Sequence, residues 1–325
     1  MSQQADEHQP QAAIHERLIS HGVVPRKGHE DLLASIKLRL RQMGDLPDAT
    51  VDQQIRLLED LSSFELGRFL LENRGLNAYW THRLVTYRQD AAFADPISDL
   101  ECRIFEELPG VLATRERFGI FREQLRKRLR SGLALASIPC GLMGELLLLD
   151  YDQHRDISLV GVDLDQHALT GAFALAKERG LAHHVSLRCE DAWAPSLTGQ
   201  IDVLASNGLN IYEPDDARVT ALYRSFFDTL KAGGTLITSF LTPPPTLCAE
   251  SPWNLAEIDP GSLLLQHLLF VRIIDAKWSA FRTHAQTMTQ LEDAGFVDIT
   301  FIDDRARMFP TVIARKPSRS PSGLS

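Results

Sequence analysis

Residues 133–151 read "LALASIPCGLMGELLLLDY", an apolar run that breaks at a glycine-bearing turn and resumes as a helical segment. A short apolar run bounded by turn residues marks a buried strand, and strand, turn and helix together form the opening half of a βαβ unit. Only Gly141 and Gly144 let the backbone of this turn approach a ligand; Pro139 and Met143 stand where a nucleotide-binding turn carries further glycines. Seven such runs occupy the chain from here on: "LALASI", "SLVGVD", "VSLRC", "IDVLASNG", "GTLITSFL", "VDITFIDD" and "FPTVIARK". Helical stretches separate them at 143–150, 166–180, 216–231 and 284–295, an alternation that predicts an α/β domain over 133–316 with a largely parallel sheet.

Upstream the rhythm is helical. "HEDLLASIKLRL" and "VDQQIRLLEDLSSFELGRFLLENRG" repeat apolar residues at intervals of three and four, and Gly75 stands where a helix stops. Residues 13–132 therefore read as a helical cap region. Its last helix carries Phe118, Phe121, Leu125 and Leu129 on one stripe and seven Arg and Lys residues between Arg115 and Arg130. Those cations read either as a solvated face or as an anion-binding group. The longest gap between strands, 242–284, holds "TPPPTLCAESPW" and the apolar "GSLLLQHLLFVRII", an expected insertion over the pocket mouth. Residues 1–12 and 317–325 are polar, Gln-rich or Pro/Ser-rich, and read as disordered tails.

Composition narrows the partners. The chain has 325 residues, 44% of them hydrophobic, enough for a sizeable core. Its formal net charge of -9 disfavours nucleic acid, whose phosphates are gripped by basic surfaces, and favours a small-molecule substrate. Cys102, Cys140, Cys189 and Cys248 lie far apart with no CxxC pair, so neither a disulfide framework nor a metal site is expected. No stretch reaches the roughly 20 apolar residues of a membrane span, and the first residues lack a signal-peptide core. A soluble cytoplasmic protein with no membrane partner is the expectation; nothing in the sequence sets an oligomeric state.

In a doubly wound sheet ligands bind outside the carboxyl ends of the strands, so the loops after the first four strands carry the candidates. "SLVGVDLD" ends on Asp163, about 20 residues past the first turn, where a carboxylate can accept both hydroxyls of a ribose. Asp165 competes for that role, and Asp163 reads alternatively as a helix N-cap. "CEDAWAP" offers Asp191 to accept from an exocyclic amine and the Ala192 N–H to donate to a ring nitrogen. "SNGLNIYEPDD" supplies Asn207, which reads as an orienting amide or a turn former, and Tyr212, whose ring or hydroxyl can face a cation or simply pack. In the helical region, Tyr79, Trp80 and His82 fall within one apolar helix; His82 is the candidate general base there, and core packing is the competing reading.

With these residues in view, 133–316 resembles the class I S-adenosylmethionine-dependent methyltransferases. "LALASIPCGLMG", "LVGVDLD", "CEDAWAP", "IDVLASNGLNIYEPDD", "LKAGGTLITSFL" and "LEDAGFVDITFIDD" followed by "FPTVIARKP" match that family's successive motifs, including its closing antiparallel hairpin. The resemblance implies a Rossmann-like seven-stranded methyltransferase sheet with an N-terminal helical cap, and S-adenosylmethionine as cofactor. It implies that Gly141 lies beneath the methionine portion, that Asp163 holds the ribose and that Asp191 with Ala192 reads the adenine. Ser137, Pro139, Leu164 and Asn207 complete the expected cofactor contacts; Asn207, Tyr212, His82 and Tyr79 are the catalytic candidates. Ser137 replaces the family's usual acidic residue, and Pro139 and Met143 replace glycines.

The expected activity is methyl transfer to a small molecule in bacterial specialised metabolism. Displacement at a carbon already activated by positive sulfur needs positioning and desolvation more than a strong base. The likeness extends to the methyltransferase-like azetidine-2-carboxylate synthases, which makes cyclisation of the cofactor with release of methylthioadenosine one alternative. A non-catalytic S-adenosylmethionine-binding module is another.

Overall fold

All seven apolar runs form strands. The computed structural model describes residues 28–87 and 98–318, so the expected tail at 1–12, and all but residues 317–318 of the one expected at 317–325, lie outside the described residues. The strands are β1 (Ala134–Ser137), β2 (Ser158–Asp163), β3 (Val185–Cys189), β4 (Ile201–Ser206), β5 (Leu230–Ser239), β6 (Val297–Ile302) and β7 (Thr311–Arg315). They make one sheet in the order β3-β2-β1-β4-β5-β7-β6. Strands β1 to β5 pair in parallel, and β7 runs antiparallel to both β5 and β6. Chain order reverses between β1 and β4, which places the ligand-binding crevice of such a sheet over their carboxyl ends.

The chain divides into two compact units, Met1–Leu112 with Asn254–Trp278, and Ala113–Trp253 with Ser279–Ser325. The sheet belongs to the second. Its central strands are covered on both faces, as continuous apolar sequences such as "ALAS" and "IDVLAS" require. On one face Ala136, Val160, Leu204 and Leu236 pack with Leu222 and Phe226 of a helix over Asp216–Thr229 and Leu291 of a helix over His284–Asp293. On the other, Leu135, Leu159 and Val203 pack with Leu169 and Ala172 of a helix over Gln166–Glu178, and with Phe121 and Leu125 of a helix over Pro109–Arg126. The division at 112/113 falls inside that last helix, upstream of the boundary expected at 132, because Phe121 and Leu125 are part of the sheet's core.

The first unit is helical, with helices at His29–Met43, Val51–Ser63, Glu65–Asn73, Ala78–Thr86 and Asp99–Glu106. Thr50 and Gln53 close a reciprocal capping box at the start of the second. The apolar half of the expected insertion belongs to this unit. Residues Pro260–Gln266 are α-helical and continue as a π-helix over His267–Ile273, and Leu265, Leu269 and Ile273 pack into one core with Ile36, Leu40, Leu58, Leu61 and Leu70. Arg272 fastens the segment: its Nε donates to Gln54 Oε1 at 3.1 Å, and its Nη2 to the Gly44 carbonyl. Residues 243–253 and 279–283 stay with the sheet unit, so the segment expected as one insertion is split between two bodies. Among the described residues no helix is long and apolar enough to cross a membrane.

Candidate cofactor and active site

The loops after β1 to β4 are tied to one another by backbone and carboxylate contacts. After β1 the chain turns through Ile138, Pro139 and Cys140, and the Ile138 N–H donates to Ala205 O of β4 at 2.9 Å while the Cys140 N–H donates to Val162 O of β2 at 2.8 Å. Gly141 follows with φ +50°, a left-handed conformation that glycine adopts without strain. Its N–H donates to Asp163 Oδ2 at 2.9 Å. The other carboxylate oxygen, Oδ1, accepts from the Asp165 N–H at 3.0 Å. Asp163 thus locks the first loop to the second.

Asp165 is the helix cap: it accepts from the His167 N–H at 2.9 Å and starts the helix at Gln166. The alternative reading of Asp163 as an N-cap therefore passes to its neighbour. Leu164 is half-buried between them, and its carbonyl accepts a weak 3.7 Å contact from the Cys189 thiol at the end of β3. In the third loop Asp191 Oδ1 accepts from the Trp193 N–H at 3.0 Å, and the buried Ala192 holds its peptide in place through a 2.7 Å bond from Ser225 Oγ to its carbonyl.

The fourth loop supplies an unmet hydrogen-bond acceptor. Asn207 Oδ1 is buried and has no hydrogen-bond partner. Buried polar atoms are rarely left so, and one beside a ligand crevice calls for a donor from the ligand. Gly208 turns the chain with φ +89°, after which Asn210 is consumed structurally: its amide donates to the Tyr223 hydroxyl at 3.0 Å, and its carbonyl accepts from Arg282 at 2.9 Å. Burial pushes the Tyr212 hydroxyl up from its ordinary range, with the Arg117 guanidinium opposing it.

Ser137, expected among the cofactor contacts, is buried and donates its hydroxyl to Glu145 Oε1. Glu145 went unnoticed in the sequence because it lies eight residues on, in the short helix Gly144–Leu147. Its side chain returns a carboxyl group to the end of β1, where the family's acidic residue would stand. Burial raises this carboxyl above its ordinary value of 4.5, against the Ser137 and backbone bonds that favour ionisation. A raised carboxyl stabilises the fold fully below that ordinary value, and the contribution is lost as pH rises through the folded value. Glu145→Gln keeps an acceptor for Ser137 and cannot ionise. Its stability relative to the parent is therefore expected to improve as pH rises above about 4 in urea titrations; a difference that stays flat with pH rules the assignment out.

Pro139 is half-buried in the first loop, and Met143, in place of a glycine, is fully buried at φ +54°. Room for it comes from Gly161 in β2, where a Cβ would lie 2.6 Å from Met143 Sδ. Tyr79 and His82 belong to the helical unit. Tyr79 is exposed, meets Trp80 edge-on at 5.0 Å and accepts from Arg83 at 3.2 Å; Trp80 itself is buried in that unit's core, as the packing reading expects. His82 is half-buried.

A protein of Bordetella parapertussis described as a "possible exported protein" has 53% sequence identity to the chain, with a TM-score of 0.85 over 90% of this chain and 98% of that one. The chain belongs to that protein's family. Phosphoethanolamine N-methyltransferase 1 of Arabidopsis thaliana is 26% identical over 196 residues, 60% of the chain and 34% of the plant protein. The chain thus spans about a third of the length of that curated relative. A SAM-dependent methyltransferase of Methanosarcina mazei superposes with a TM-score of 0.43 at 16% identity, over 60% of this chain and 98% of the other. No family model matches. The strand order, with β7 inserted antiparallel between β5 and β6, makes the fold that of the class I S-adenosylmethionine-dependent methyltransferases.

Proposed function

We propose that the chain is an S-adenosylmethionine-dependent transferase acting on a small molecule in bacterial specialised metabolism. The observation that carries the reading is the unpartnered Asn207 Oδ1, an acceptor at the end of β4 suited to the cofactor's ammonium. Asp163 holds the ribose, Asp191 and the Ala192 N–H take the adenine edge, and Pro139, Gly141 and Leu164 line the loops around them. Bound S-adenosylmethionine supplies a carbon made electrophilic by the adjacent sulfonium. Asn207 and Tyr212 position groups around that carbon, and the buried setting of Tyr212 keeps its phenol protonated, a hydrogen-bond donor and not a base. Tyr79 and His82 stay as the helical unit's candidates; unchanged kinetics of Tyr79→Phe and His82→Ala return both to packing. Four free cysteines, one of them exposed, agree with a reducing cytoplasmic setting.

Glu145 favours a second reading. A buried carboxyl held toward its neutral form stabilises an ammonium less than an ionised carboxylate does, which eases loss of the amine's proton. A neutral amine can displace the sulfur at its own γ-carbon: the N–Cγ bond forms, the Cγ–S bond breaks, methylthioadenosine leaves and one proton is released, giving azetidine-2-carboxylate. Incubation with S-adenosylmethionine alone, followed by mass spectrometry, separates the readings. Methylthioadenosine with a four-membered imino acid establishes cyclisation. S-adenosylhomocysteine formed only with an added acceptor establishes transfer. Binding without turnover leaves a non-catalytic module, and absence of binding by calorimetry refutes all three.

A further inference from the structure

Of the seven cations expected on the helix Pro109–Arg126 and just beyond it, Arg117 is not on a solvated face. Ala113, Arg117, Phe121 and Leu125 follow one another at intervals of four, a single stripe of the helix. Ala113, Phe121 and Leu125 are buried, and Arg117 retains 4% of its exposure. Packing alone would place an apolar side chain in that position. Instead the guanidinium lies within the sheet unit, with its Cζ 4.7 Å from the centre of the Phe309 ring and its Nη1 donating to Ser239 Oγ, at the carboxyl end of β5, at 3.0 Å.

Among the described residues no carboxylate forms an ion pair with this guanidinium. Arg117 Nε is buried with no hydrogen-bond partner. Asp304, the acid nearest in effect, directs its oxygens to the backbone N–H groups of Phe309, at 2.7 Å, and Met308, at 3.3 Å. Burial holds Asp304 above the usual carboxylate range and pulls Arg117 down to about 10, with Asp304 and Tyr212 opposing the fall. A buried, unpaired guanidinium destabilises a fold unless an anion completes it. Ser239 Oγ lies on Nη1, the Gly208 backbone lies beside the fork, where an added Cβ would sit 3.6 Å from Nη1, and Tyr212 acts on the guanidinium electrostatically. One cation and hydroxyl donors on a planar fork suit a carboxylate; a phosphate dianion would require a second positive charge.

We propose that Arg117, Ser239 and Tyr212 form a receptor for a carboxylate of the molecule held over the ends of β4 and β5. The inference deepens the proposed function and rests on it for the identity of that molecule. The carboxylate comes either from the acceptor or from the cofactor's own amino-acid end.

Calorimetry on the full chain distinguishes the sources. In one arm S-adenosylmethionine is compared with decarboxylated S-adenosylmethionine; in the other, acetate is titrated into protein saturated with S-adenosylhomocysteine. If the cofactor supplies the group, its decarboxylation weakens binding to the parent by about tenfold or more, and Arg117→Met weakens S-adenosylmethionine alike while leaving the decarboxylated compound unaffected. If the acceptor supplies it, both adenosyl compounds bind the two proteins equally, and acetate binds the parent and is lost in Arg117→Met. That variant removes an unpaired buried charge, so its thermal midpoint is expected to equal or exceed the parent's. Should it fail to fold, Ser239→Ala is expected to give a smaller loss in the same arm. The receptor is refuted if the parent shows no carboxylate dependence in either arm, or if a folded Arg117→Met keeps it. If neither adenosyl compound binds the parent, the proposed function falls, and acetate titrated into the protein alone still decides the receptor.

Discussion

Gly161→Val is expected to lower stability by about 3 kcal/mol and to weaken cofactor binding together with it. Gly161 lies inside β2, opposite Ser137 of β1 and Leu187 of β3. The first atom of any side chain there would stand 2.6 Å from Met143 Sδ, 2.7 Å from Leu187 Cδ2 and 3.1 Å from Cys140 Sγ. All three would have to move in a close-packed interior, and two of them belong to the turn that presents Gly141. Met143 occupies this space because the turn carries a methionine in place of a glycine, so the two positions are complementary. Met143→Gly in the same molecule removes the closest clash and relieves the positive φ, leaving only Leu187 and Cys140 crowded. The two substitutions should therefore couple favourably by more than about 1 kcal/mol in a double-mutant cycle from urea denaturation. Additive effects would show that Gly161 does not serve as the seat of Met143.

Asp163→Ala is expected to weaken S-adenosylmethionine by about 1.5–3 kcal/mol, some tenfold to a hundredfold in Kd, through loss of a bidentate acceptor for the ribose. The effect has a second source, because the same carboxylate holds the Gly141 N–H. Asp165→Ala is the matched control. Its capping bond to His167 is lost, so stability should fall by about 1 kcal/mol, with a smaller change in Kd than in Asp163→Ala. Equal losses of affinity in the two variants, or none in Asp163→Ala, would move the ribose away from β2.

The central strands β1, β2, β4 and β5 were legible because parallel strands buried on both faces leave unbroken apolar runs, and the outer β3, β6 and β7 because their apolar and β-branched runs are bounded by turn residues. The ends of β2 and β3 were legible for a related reason: an acid directly after such a run has few places to go. Glu145 was hidden because its carboxyl returns to β1 through a fold-back of a short helix, a relation that no strand or helix period encodes. Arg117 was hidden by company. Among seven cations a solvated face is the natural reading, and only the register of the stripe shared with Phe121 and Leu125 distinguishes it. The division of the 242–284 segment was illegible as well, since an amphipathic run such as "GSLLLQHLLFVRII" states that it packs and not against which partner.

That division bears on how the protein comes into being. A ribosome adding about 5–20 residues per second releases the helices before Leu112 long before the stretch Asn254–Trp278 that shares their core. The sheet cannot close early either, because β6 and β7 follow that stretch. The helical core is therefore completed only after most of the sheet unit has been made, and until then Leu58, Leu61 and Leu70 wait for the part of their cluster that Leu265, Leu269 and Ile273 supply.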